Sequence, residues 1–90
     1  MPRYSLWCEE KQCGDSGLMC QILDKESYMP IPGEDRPRVG CGVRVGSHYA
    51  RSFSAQDWWQ TTPIREILEE KENYIKFKTR NSIYVWKKED

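Results

Sequence analysis

Apolar residues come in short runs broken by turn formers, and the most regular pattern lies in the last third of the chain. Tyr74–Arg80 (YIKFKTR) alternates apolar and polar side chains, and Ile83–Lys88 (IYVWKK) is rich in β-branched and aromatic residues. Both patterns predict strands. Asn81-Ser82 between them fits a two-residue hairpin turn, because asparagine tolerates positive φ. That turn would set Arg80 opposite Ile83, Thr79 opposite Tyr84, Lys78 opposite Val85, Phe77 opposite Trp86 and Lys76 opposite Lys87. Alternation then puts Ile75, Phe77, Thr79, Tyr84 and Trp86 on the core face. Lys76, Lys78, Arg80 and Lys87 fall on the other face, interleaved with Ile83 and Val85.

Ile64–Glu70 carries two conflicting signals. Thr62 as N-cap, Pro63 as first helical residue and the spacing of Ile64, Ile67 and Leu68 favour a helix. Isoleucine content and the strands that follow favour a strand, which is the expectation adopted. As a strand it would set Glu66 opposite Lys78 and put Ile64 and Leu68 on the outer face.

Upstream, Tyr4–Cys8 and Gly17–Leu23 (GLMCQIL) flank the turn-forming Glu9–Ser16, predicting a hairpin within residues 1–28. Met29–Pro37 holds three prolines and a glycine, which excludes a regular element and predicts a loop of little order. Arg38–Val45 reads as a strand bent at Gly40 and Gly42, turning at Gly46-Ser47 into a second strand, His48–Phe53. Ser54-Ala-Gln-Asp57 fits a capping box, so one short helical turn is expected to carry Trp58 and Trp59. The expected fold is mostly β: one domain, 1–90, with an N-terminal hairpin, a proline-rich loop (29–37) and a small barrel or curled antiparallel sheet (38–90).

Composition narrows the function classes. Ninety residues suffice for one domain with a thin core, which the four Trp, five Tyr and two Phe help to fill. Formal net charge is zero, about −2 over residues 1–38 and +2 over 39–90. This excludes the strongly basic footprint of a dedicated duplex-DNA binder. Met1–Glu10 lacks the apolar core of a secretion signal, and no apolar run approaches the ~18–20 residues of a membrane span. A cytoplasmic protein with reduced thiols and no membrane partner is expected.

Candidate chemistry is sparse. Cys8-x4-Cys13 resembles half of a zinc knuckle, and Cys20, Cys41 and His48 are the remaining donors for a tetrahedral site. Neither Cys20 nor Cys41 belongs to a second close pair, so buried reduced thiols are the leading expectation and zinc an alternative. A disulfide from Cys8 to Cys13 or Cys20 would require export. Cys41 and His48 lack a third group to orient them for nucleophilic catalysis. Glu66, Glu69, Glu70 and Glu72 alternate with Arg65 and Lys71, as a solvated face does. The glycines of 40–46 lack the following helix that a phosphate loop needs. No enzyme and no cofactor are expected. Arg51, Trp58 and Trp59, close in sequence to Tyr49 and Phe53, supply the aromatic–basic mixture that stacks single-stranded bases.

The pattern Thr62-Pro63-Ile64 through Phe77-x-Thr79-x-Asn81-Ser82-x-Tyr84 resembles the tails of short SH3-like β-barrel proteins of bacteria and phages, over residues 43–88. The resemblance implies an SH3-like barrel and carries over no functional residue. The mixed face of Lys76, Lys78, Arg80, Ile83 and Val85 suggests a protein-binding module. Small size, the absence of a catalytic site and the resemblance together suggest a phage or mobile-element accessory that inhibits or adapts a host complex. The expected surface is Lys76, Lys78, Arg80 and Lys87 with Trp58, Trp59 and Arg51 nearby. Single-stranded nucleic acid is the alternative partner for the same residues. Whether the N-terminal segment covers this face, as expected, or leaves it open decides whether it is a site.

Overall fold

The computed structural model describes residues 2–46 and 58–89. All regular structure there is extended: β1 (Arg3–Cys8), β2 (Cys13–Gly17), β3 (Met19–Leu23), β4 (Gly42–Gly46), β5 (Trp58–Gln60), β6 (Ile64–Lys71), β7 (Tyr74–Thr79) and β8 (Ile83–Glu89). They form two antiparallel sheets, one of five strands in the order β2-β1-β8-β7-β6 and one of three in the order β3-β4-β5. The mostly β, curled antiparallel architecture is as expected. Expected features at His48–Phe53, Ser54–Asp57 and the Gly46-Ser47 turn, together with Arg51, lie outside the described residues.

The core lies between the sheets. Leu6, Cys8, Ile75, Phe77 and Trp86 from the larger sheet meet Ile22, Val43 and Val45 from the smaller one, all essentially without solvent exposure. Phe77 and Tyr84 stack at 5.5 Å between ring centroids. The core face expected for the last hairpin is the observed one: Ile75, Phe77, Thr79, Tyr84 and Trp86 are all buried.

The hairpin register differs. Phe77 pairs with Tyr84, Ile75 with Trp86, and Lys76 with Val85 rather than Lys87. The two-residue turn is Arg80-Asn81, because the Thr79 N–H donates to the Ser82 carbonyl at 2.9 Å. The Thr79 hydroxyl accepts from the Ser82 and Asn81 amides. These bonds outweigh the positive-φ preference of asparagine, and neither Arg80 nor Asn81 takes a positive φ. Each residue moves to a partner two positions along, so faces are preserved while the partners change.

β6 is a strand, and Glu66 does pair with Lys78. Ile64, however, is buried at 2% exposure and faces Thr79. The register shifts between Ile64 and Glu66 and again between Ile67 and Glu69. Each shift adds one residue and flips the alternation. Ile64 and Ile67 thereby share the inner face at an i, i+3 spacing, which is why the segment imitates a helix in sequence.

The N-terminal segment also departs from expectation. β1 pairs with β2 through a turn at 9–12, where Gln12 takes a φ of 54°. Gly14, Asp15 and Ser16 form an edge strand instead of a turn. A Cβ at Gly14 would run into the Leu6 carbonyl, so the close approach of β2 to β1 requires glycine there. After Leu18 the chain leaves the first sheet and continues as β3 in the second. β1 then pairs along its other edge with β8. The hairpin extends the larger sheet edge-on and does not cover it.

The strand after the proline-rich loop begins at Gly42, with Gly40 (φ 93°) in the preceding turn. Trp58 and Trp59 stand on β5 opposite Gly46 and Val45, not on a helical turn. The loop itself is anchored. Ile31 N–H donates to the Ile22 carbonyl, and the Arg36 guanidinium binds the Lys71 and Glu72 carbonyls and the Glu70 carboxylate. Prolines exclude regular structure but do not exclude order once side chains supply partners. Among the described residues no helix is long and apolar enough to cross a membrane.

Candidate interaction face

Because the N-terminal hairpin joins edge-on, the outer face of the five-stranded sheet is uncovered. The pairings lay it out in rows across the strands. One row reads Ser16, Ser5, Lys87, Tyr74 and Lys71. The next reads Gly14, Trp7, Val85, Lys76 and Glu69. A third brings Ile83, Lys78 and Glu66 together. Small residues at Gly14, Ser5 and Ser16 lie beside bulky Trp7 and Tyr74, so the first two rows form a shallow groove. Its volume is about 610 Å³ and its lining comes from four strands, Val85 and Lys87 of β8 included.

Trp7 is 44% exposed and is the largest apolar group in this groove. Its strand alternates, with Tyr4, Leu6 and Cys8 inward and Ser5 and Trp7 outward. That period-2 pattern carries the signal for Trp7 as a surface aromatic.

The electrostatics are uneven. Lys76 is held 3.5 Å from the Glu9 carboxylate, and Lys71 lies 3.9 Å from Glu69 and 5.6 Å over the Tyr74 ring. Lys78, Lys87, Arg65 and Arg80 make no ion pair among the described residues. Arg65, Lys78 and Arg80 border a second shallow groove beside Glu66. Lys76 is paired with Val85 and Lys87 with Tyr74, so the two like charges are not set directly opposite each other.

Lys76, Lys78 and Lys87 therefore share this face, and Arg80 borders it from the hairpin turn. Trp58 and Trp59 belong to β5 of the smaller sheet. Trp59 sits on the smaller sheet, packed partly against the core with Lys11 at 5.9 Å over its ring.

The four cysteines are free thiols. Cys8 and Cys13 face each other across β1 and β2. Cys20 accepts a hydrogen bond from the Trp86 indole at 3.4 Å and donates to the Asp35 carbonyl at 3.2 Å. Burial pushes the Cys20 thiol up to about 12, so it stays protonated at neutral pH. Cys41 is buried before β4. Among the described residues no three potential metal ligands come together. Asp35 anchors the proline-rich loop: the Tyr4 hydroxyl and the Lys88 ammonium donate to its carboxylate at 2.7 and 2.9 Å. The Tyr4 hydrogen bond, helped by Lys88, holds the Asp35 carboxyl below its ordinary range.

The chain matches no protein-family model, no curated protein and no solved structure.

Proposed function

We propose that this protein is a non-enzymatic protein-binding module whose working surface is the outer face of the five-stranded sheet. The observation that carries this is the edge-on attachment of the N-terminal hairpin, which leaves Trp7, Tyr74 and Val85 uncovered on one face. Tryptophan in a concave setting is the side chain most often found at the energetic centre of a protein interface. Small size and the resemblance to short SH3-like proteins, which bears on fold alone, extend the proposal to a cytoplasmic accessory, of phage or mobile-element kind, that inhibits or adapts a larger host complex.

Single-stranded nucleic acid is the second reading, favoured by the Arg65, Lys78 and Arg80 groove. It is the weaker one, because base stacking needs aromatics beside the cations, and Trp7 and Tyr74 line the other groove, apart from Arg65, Lys78 and Arg80.

The test is affinity capture with the full chain as bait, repeated with Trp7→Ser, with Lys78→Glu, and with Lys25→Glu as an off-face control. A partner held by the wild type and the control but lost by both face variants is the expected result. A partner recovered equally with Trp7→Ser removes this face from consideration.

A further inference from the structure

Resting on the reading of this face as a protein-binding surface, we infer that its occupant is a short, extended, acidic segment of another polypeptide carrying one apolar anchor. Size argues for a segment. The five strands hold 6, 5, 7, 6 and 8 residues, which at 3.3 Å per residue and 4.8 Å between strands gives a projected face of about 500 Å². A standard interface uses about 800 Å² per partner. The groove in this face, about 610 Å³ and open across four strands, suits a few extended residues better than a second globular surface.

Charge argues for acidity. Four cations on or bordering the face, Arg65, Lys78, Arg80 and Lys87, have no ion-pair partner among the described residues, whereas Lys76 is matched by Glu9. Against them stand Glu66, opposite Lys78, and Asp15 at the far end of the groove, whose carboxylate accepts from the Ser16 amide at 2.8 Å. The unmatched remainder is positive. Lys87 and Lys78 lie about 14 Å apart on the sheet grid, a span that about four or five extended residues cover. The anchor side chain fills the groove beside Trp7, above Gly14 and Ser5, and carboxylates toward β8 and β7 reach Lys87 and, farther along β7, Lys78 and Arg80.

The experiment titrates the full chain into a fluorescein-labelled peptide of alternating glutamate and leucine, about seven residues long. Its lysine-for-glutamate counterpart, a labelled oligothymidylate and sedimentation of the protein alone are run alongside. The expected result is saturable, salt-weakened binding of the acidic peptide, about tenfold tighter than the lysine counterpart. Combined Lys87→Glu and Arg80→Glu substitution, or Trp7→Ser, should weaken it about tenfold or more. Thermal melts must show that these variants fold. Equal binding of the lysine peptide, or binding indifferent to charge reversal, overturns the inference. So does a preference for oligothymidylate, or self-association abolished by Trp7→Ser, since each gives the face to another occupant. If the acidic peptide fails while a Trp7-dependent protein partner persists, the inference falls and the binding-module reading stands; if both fail, so does that reading.

Discussion

Trp7 and Trp86 sit on neighbouring strands, one register position apart, and meet opposite fates. Leu6 pairs with Trp86 and Trp7 with Val85, so the pleat sends one indole into the core at 1% exposure and the other to solvent at 44%. Their truncation should separate structure from surface. Trp86→Ala removes a large side chain from between two sheets and should cost about 3–5 kcal/mol. A domain of this size has only about 5–15 kcal/mol in total. Trp7→Ala should stay within about 1 kcal/mol, since surface changes seldom do more. Urea denaturation of the two variants measures the difference. Gly42 shows how tightly the same core is filled: a Cβ there would strike the Tyr28 ring, whose hydroxyl donates to the Thr61 carbonyl.

At the scale of elements, the proline-rich loop works as a strap. Asp35 takes hydrogen bonds from Tyr4 on β1 and Lys88 on β8, and Arg36 grips the β6–β7 turn. Folding lowers the Asp35 pKa. Its contribution is therefore present above the ordinary aspartate value of about 3.9 and is lost as pH falls through the lower folded value. Asp35→Asn should be less stable than wild type at pH 7, and the gap should close as pH drops below about 4. Urea midpoints measured across that range check it; a constant gap would mean that the Asp35 charge is not what ties the loop down. The strap also shows the limits of sequence patterning. Composition revealed that Met29–Pro37 is irregular, but its anchors lie on strands far away in the chain. In the last hairpin, face assignment survived an incorrect turn, because a slide to partners two positions along keeps the period-2 alternation. In β6 two bulges broke that alternation, so Ile64 was assigned outward although it is buried. The cationic half of the candidate face was legible from spacing alone. Its aromatic half was not, because Trp7 becomes part of the face only when β1 docks on β8, a pairing that no local signal encodes.

For the molecule as a whole, stability should be graded across the larger sheet. β1, β8 and β7 are hydrogen-bonded on both sides, whereas β2 and β6 are edges. Amide hydrogen exchange should be slowest in β8 and its two neighbours and faster along β6. Equal protection in β6 would show that an edge of this sheet is covered. β6 is the kind of edge that resists unwanted pairing: it has two bulges and carries Arg65, Glu66, Glu69, Glu70 and Lys71. The seam between β1 and β8 has a consequence for biosynthesis. A ribosome makes chains from the N-terminus, so β1 emerges long before the strand that completes one of its edges. Until β8 is extruded, the amides and carbonyls of β1 that face it must be satisfied by water, and the inward face of Leu6 and Cys8 lacks Trp86 and Tyr84. A strand inside the finished sheet is thus translated before the strand that encloses it, and the sheet closes only after β8 has been made.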